Sequence, residues 1–146
     1  MKRIFLLLFS VFALVSFAEE ITLSRIRINA FQDADVEKGD IIKVKAKGEG
    51  KRGRGITFQI PHAVSGAYYK LSCEVRGSGK LEGMCYSKIL KRTNLKVMKL
   101  NEEWQKIEFP VTLPIGEEKQ YLQFVLFFWQ QPETKAEIRN LKIETR

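Results

Sequence analysis

Apolar and polar residues alternate along most of this chain, as in Ile41–Lys47, where lysines occupy every second position. A period of two places successive side chains on opposite faces of a strand. No stretch of the chain shows a convincing helical period. The alternation predicts about nine strands, at Ile21–Ile28, Ile41–Lys47, Ile56–Ile60, Tyr68–Val75, Leu81–Ser87, Leu95–Leu100, Gln105–Leu113, Tyr121–Trp129 and Ala136–Glu144.

Glycine, proline and asparagine lie between these predicted strands, for example at Gly39-Asp40, Gly77–Gly79 and Pro114–Gly116. These residue types favour turns because glycine adopts positive φ and proline fixes its own φ. Many short strands separated by turns are typical of an antiparallel sandwich or barrel. The sequence therefore predicts an all-β protein with one antiparallel β-sandwich domain.

The amino terminus has the three parts of a secretory signal peptide. Lys2-Arg3 precedes an apolar stretch, and Ser16-Phe17-Ala18 supplies small residues at the −3 and −1 positions of a cleavage site. We expect residues 1–18 to be removed and 19–146 to form the domain. A retained anchor is the weaker alternative because Glu19-Glu20 ends the apolar stretch too early to span a bilayer. The mature chain is then secreted or periplasmic, with no membrane span.

The net charge falls from +8 to +6 when Lys2 and Arg3 leave with the signal. A basic surface attracts nucleic acid or an anionic polymer, or maintains solubility, and export makes nucleic acid the least expected partner. Neither His62 nor the scattered carboxylates form a catalytic constellation, so we predict no enzyme activity. Two cysteines and one histidine are also too few for a zinc site.

Cys73 and Cys85 flank Arg76–Lys80, which has the composition of a hairpin turn. A three-residue loop at Ser78–Lys80 would place the two cysteines opposite each other on paired strands, within reach of a disulfide. Two buried free thiols are the alternative. The sequence leaves both open.

Three segments resemble one known family. Ser65–Arg76 resembles a Gly-then-Tyr-x-Leu-Ser-x-x-Val strand, Trp104–Phe109 resembles a Trp-x-x-x-x-Phe strand, and Tyr121–Phe128 with Ala136–Ile143 resembles a closing strand pair. Together these segments are similar to the β-jelly-roll carbohydrate-binding modules appended to xylanases and other polysaccharide hydrolases. The similarity extends over roughly residues 40 to 144.

The resemblance implies a jelly roll that binds a poly- or oligosaccharide on the concave outer face of one sheet, without catalysis. We expect a monomer in which Trp104 packs in the core. Family members often hold a structural calcium through an Asp pair, and this chain has Arg139-Asn140 there, which makes calcium doubtful. No other cofactor is predicted. The outward residues predicted to contact glycan are Gln59, Glu74, Tyr86, Gln123 and Trp129.

The segment Tyr121–Trp129 carries apolar residues on both faces. Its more uniform set of Leu122, Phe124, Leu126 and Phe128 is predicted to face the core, because the other set includes Gln123. A partly apolar outer face marks an interaction site. The partner is a glycan or, in the alternative function, a protein of the cell envelope that docks on the same patch. A central strand covered on both faces would explain the pattern without any partner.

Overall fold

The computed structural model describes residues 18–46, 54–116, 120–128 and 134–146. The predicted signal peptide lies almost wholly outside these ranges, so its removal stays a prediction. The described residues contain a 3₁₀ turn at Leu23–Arg25 and eleven strands: β1 (Glu19–Glu20), β2 (Arg27–Phe31), β3 (Ala34–Glu37), β4 (Ile42–Ala46), β5 (Arg54–Ala63), β6 (Tyr68–Ser78), β7 (Lys80–Ser87), β8 (Lys91–Lys99), β9 (Gln105–Thr112), β10 (Gln120–Phe128) and β11 (Lys135–Thr145).

These strands form two antiparallel sheets packed as a sandwich, which confirms the predicted fold class. Sheet A has the order β3-β4-β11-β6-β9, with β1 also paired to β11. Sheet B has the order β2-β5-β10-β7-β8. The two strands beyond the predicted nine are the short β1 and β3, and the 3₁₀ turn takes the place of the first part of the predicted strand Ile21–Ile28.

The core lies between the two sheets and consists mainly of alternate residues of the longer strands. On β10 the inward set is Leu122, Phe124, Leu126 and Phe128, as the alternation predicts. The largest fully buried side chains include Phe58 of β5 and Phe109 of β9. Burying each such side chain contributes about 1.5–3 kcal/mol, so the alternating pattern itself holds the sheets together.

The predicted hairpin between β6 and β7 is wrong. β6 pairs with β11 and β9 in sheet A, whereas β7 pairs with β10 and β8 in sheet B. The chain therefore crosses from one sheet to the other after Ser78. Cys73 and Cys85 are buried free cysteines on different sheets, so the structure has the second of the two alternatives, two buried free thiols.

Both thiols should be unreactive while the protein is folded. Burial raises the pKa of Cys73 to about 12 and that of Cys85 to about 11, which leaves almost no thiolate at neutral pH. We expect no labelling of native protein by iodoacetamide at pH 8, two labels per chain after unfolding in guanidinium, and a melting temperature unchanged by dithiothreitol. Fast labelling of the folded protein, or a melting temperature lowered by dithiothreitol, would contradict this assignment.

Candidate functional site

Five side chains form a row across the outer face of sheet B. Gln123 on β10 is opposite Gln59 on β5 and Tyr86 on β7. Arg27 on β2 continues the row beyond Gln59, and Arg92 on β8 continues it beyond Tyr86. Neighbouring strands lie about 4.8 Å apart, so this Gln123 row runs about 19 Å across the strands. The structure thus places three of the five predicted contact residues side by side.

An aromatic pair lies at one end of this face. The ring centroids of Tyr86 and Tyr121 are 5.9 Å apart, with a tilt of 37° between the rings. Burial and a hydrogen bond with Tyr86 both raise the pKa of Tyr121 above its ordinary value. Tyr86 is 37% exposed, which leaves part of the pair open to a ligand. Tyr121 was not among the predicted contacts, although its outward position on β10 follows from the same alternation.

Farther along β10, Val125 and Phe127 also lie outside the core but are covered. They are only 1% and 2% exposed, so the expectation of an open apolar surface is wrong at these two positions. The Phe31 ring lies 6.3 Å from that of Phe127, and the Arg92 guanidinium reaches over β7 to within 5.9 Å of the same ring. β10 is the central strand of sheet B, with two strands on each side of it. Side chains from these strands cover the outward-facing Val125 and Phe127.

The pairing of β5 with β10 contains a bulge next to Tyr121. Leu122 pairs with Ile60 and Gln120 pairs with Ala63, so β5 has one more residue than β10 over this interval. The interval contains Pro61 and His62, and proline contributes no N–H to the ladder. Bulges commonly redirect side chains next to binding sites.

Glu74, a fourth predicted contact, does not belong to this face. It lies on β6 in sheet A, where its carboxylate accepts hydrogen bonds from Arg139 Nε at 2.5 Å and Asn140 Nδ2 at 2.9 Å. The hydrogen bond from Arg139 holds the pKa of Glu74 below its usual value. Its carboxylate is thus engaged within the protein, and its assignment to a site with Gln123 and Tyr86 is wrong because β6 and β7 belong to different sheets.

Trp104 packs against the outer side of sheet A and not in the core, contrary to expectation. Two guanidiniums lie over its indole, with Arg139 Cζ 4.1 Å and Arg76 Cζ 4.6 Å from the ring centroid. Arg76 Nε donates a hydrogen bond of 2.7 Å to Glu137 Oε2. Because arginines lie over the ring, the indole is a poor platform for a sugar.

Replacing Trp104 with alanine should lower stability without changing glycan binding. Two partly exposed cation–π contacts are worth about 1–2 kcal/mol together, and that is the loss we expect in the free energy of urea unfolding. Affinity gels of the same variant should match the parent. Lost binding together with unchanged stability would instead move the glycan site to sheet A.

The fold is the β-sandwich of carbohydrate-binding modules. A family 29 carbohydrate-binding module variant superposes with a TM-score of 0.65 over 88% of this chain and 92% of its own, at 7% sequence identity. A module of the same family complexed with mannohexaose gives a TM-score of 0.62, over 84% of this chain and 82% of its own, at 8% identity. A family 4 module gives 0.60, over 83% of this chain and 86% of its own, at 15% identity.

A further match is part of a larger enzyme. A Clostridium thermocellum endo-1,4-β-D-xylanase fragment, in which a family 22 module precedes the catalytic module, superposes with a TM-score of 0.60. That structure holds xylohexaose, and the match covers 88% of this chain and 27% of that one, at 11% identity. No protein-family model and no curated protein sequence matches this chain.

The described residues form no metal centre, and the strands of sheet B lack the pair of carboxylates that glycoside hydrolysis uses. Among the described residues, no group of three or more His, Cys, Asp or Glu side chains is placed to hold a metal ion. Within the bounds given above, the strands of sheet B contain one carboxylate, Glu82 on β7. Glycoside hydrolysis usually needs two carboxyl groups about 5–9.5 Å apart across the scissile bond. The solved structures that superpose on this chain include non-catalytic modules.

Proposed function

We propose that this protein is a non-catalytic, exported carbohydrate-binding module whose glycan lies on the outer face of sheet B. The observation that carries the proposal is the Gln123 row, in which two amides and a tyrosine from three adjacent strands lie side by side next to Tyr121. The resemblance of the fold to carbohydrate-binding modules supports it. Export rests on the amino-terminal sequence. No helix among the described residues is long and apolar enough to cross a membrane.

The row suits a sugar chain for physical reasons. The Tyr86 and Tyr121 rings offer apolar surface to a sugar ring, while the Gln59 and Gln123 amides donate to and accept from hydroxyls. Covering about 80–100 Å² of aromatic surface gains about 2 kcal/mol. Two such stacks with a few hydrogen bonds give a dissociation constant on the order of 10 μM to 1 mM.

Trp129 lies outside the described residues and stays a predicted contact. Trp129 follows Phe128, the last residue of β10, in the sequence, and it is therefore the first residue to substitute beyond the row itself. Trp129→Ala should abolish glycan binding and change the free energy of unfolding by about 1 kcal/mol or less. A loss of about 3–5 kcal/mol would show that Trp129 is a core residue.

Docking of an envelope protein on the same face is the alternative function. It would need an exposed apolar patch, and the burial of Val125 and Phe127 removes most of that patch from the surface. We therefore propose a monomer. Size-exclusion chromatography should give the mass of one chain, and a stable dimer that dissociates on mutation of this face would favour the protein-docking function.

Affinity gel electrophoresis and a glycan array test the proposal directly. We expect the purified protein to be retarded by at least one neutral or acidic polysaccharide, with modest affinity. No retention by any of them would overturn the proposed function.

A further inference from the structure

A pocket of about 570 Å³ opens at the end of the sandwich next to the Gln123 row. This volume lies in the usual range of small-molecule sites. The pocket is formed by the segment that precedes β2, by the bulged end of β5 and by the ends of β6 and β11. Its lining residues are Glu19, Ile21, Ser24, Arg25, Arg27, Ile60, Pro61, His62, Val64, Tyr69 and Thr145.

The pocket has a basic rim. Arg25, Arg27 and His62 line it, against one carboxylate, Glu19. In the described ranges, neither Arg25 nor Arg27 forms a side-chain ion pair.

Two cations on the outer face of sheet A differ from these arginines, because each is matched by a carboxylate on a neighbouring strand. Lys70 pairs with Glu144 at 2.7 Å, and Arg76 pairs with Glu137 at 2.6 Å. Unlike Arg25 and Arg27, Lys70 and Arg76 are therefore already paired within the protein.

Part of the pocket lining is apolar. Ile21, Ile60 and Val64 contribute aliphatic surface, and the Tyr69 hydroxyl accepts a hydrogen bond of 2.7 Å from the backbone N–H of Val64. A lining that combines aliphatic side chains with two guanidiniums suits a ring that has an apolar face and an acid substituent.

Arg27 belongs both to the pocket and to the Gln123 row. It lines the pocket and is also opposite Gln59 at the β2 end of the Gln123 row. A ligand that follows the row past Gln59 therefore reaches the pocket without leaving the surface. The β5 bulge at Pro61–His62 lies on the same rim.

We propose that this pocket binds the acid group of an anionic sugar, so that the preferred ligand is an acidic polysaccharide. Arg25 and Arg27 contact the carboxylate of a uronic acid or the sulfate of a sulfated sugar, since the guanidinium fork matches both oxyanions. The inference rests on the proposed function, because it assigns the ligand class of the same glycan site.

Isothermal titration calorimetry of the purified protein with three hexasaccharides tests the inference: hexagalacturonate, which carries only carboxylates, a κ-carrageenan-derived hexasaccharide, which carries only sulfates, and neutral mannohexaose. At low salt we expect at least one acidic ligand to bind about 10-fold or more tightly than mannohexaose. The acidic probe that binds more tightly shows whether the pocket prefers a carboxylate or a sulfate group. Acidic binding should also weaken as sodium chloride rises past 0.15 M, where the Debye length is about 8 Å.

Two substitutions locate the effect. Arg25→Gln, which lies outside the Gln123 row, should weaken acidic binding by about 10-fold and change mannohexaose binding by less than about 3-fold, whereas Arg27→Gln should weaken acidic binding by about 10-fold or more. Lys45→Gln is the matched control, because Lys45 is an exposed cation of β4 in sheet A and its loss changes the net charge equally. This control should bind as the parent does.

The outcomes separate this inference from the function on which it rests. Equal, salt-insensitive affinity for neutral and acidic ligands, or equal losses in all three variants, would overturn the acidic subsite and leave glycan binding intact. If the parent protein binds no glycan at all, the proposed function itself fails.

Discussion

Tyr86→Ala should weaken glycan binding by about 30-fold or more. The substitution removes the exposed ring of the Tyr86–Tyr121 pair, next to Gln123 in the row. A lost stack of 80–100 Å² corresponds to about 2 kcal/mol, which is about 30-fold in the dissociation constant. Because Tyr86 is 37% exposed and outside the core, the free energy of unfolding should fall by only about 1 kcal/mol.

The measurement is calorimetry or affinity electrophoresis with the glycan that the parent binds best, together with urea unfolding. Tyr68→Ala is the matched control, since Tyr68 is a half-buried tyrosine of β6 in sheet A. Tyr86→Phe keeps the ring and loses the hydroxyl, so it should retain most of the affinity. Unchanged binding by Tyr86→Ala, or equal losses in Tyr86→Ala and Tyr68→Ala, would show that the outer face of sheet B is not the site.

Gly77→Ala should destabilise the fold by about 3 kcal/mol or more, which lowers the melting temperature by about 10 °C. Gly77 has a φ of 147°, in a region that side-chain-bearing residues rarely adopt. A Cβ there would overlap the carbonyl oxygen of Lys135 and lie 2.9 Å from its carbonyl carbon. Both atoms are backbone of the paired strand β11, so neither can move aside without breaking the ladder.

Gly39→Ala is the control for this prediction. Gly39 is exposed, and a Cβ there would meet only the Ile41 carbonyl oxygen at an ordinary 3.7 Å. We expect its melting temperature to stay within about 2 °C of the parent, because replacing a surface glycine changes stability little when the backbone is compatible. Equal melting temperatures for the two variants would mean that the β6 strand end accepts a side chain.

The sequence alone determined which residues share a strand face. Period-two alternation predicted most strands close to their observed bounds, and it predicted the inward set of β10 through Leu122 and Phe124. It also predicted that Gln59 and Gln123 face outward. These results follow from local chemistry, because a strand with one buried face must alternate apolar and polar residues whatever its neighbours are.

Tertiary structure decided which strands are neighbours. The glycines at Gly77 and Gly79 suit a hairpin turn and a crossing between sheets equally well, and only the crossing explains why Glu74 and Tyr86 lie on different sheets. The same pairing placed Arg27 and Arg92 at the two ends of the Gln123 row. Alternation contains no information about strand order, because order depends on which sheet edges and core side chains pack best in three dimensions.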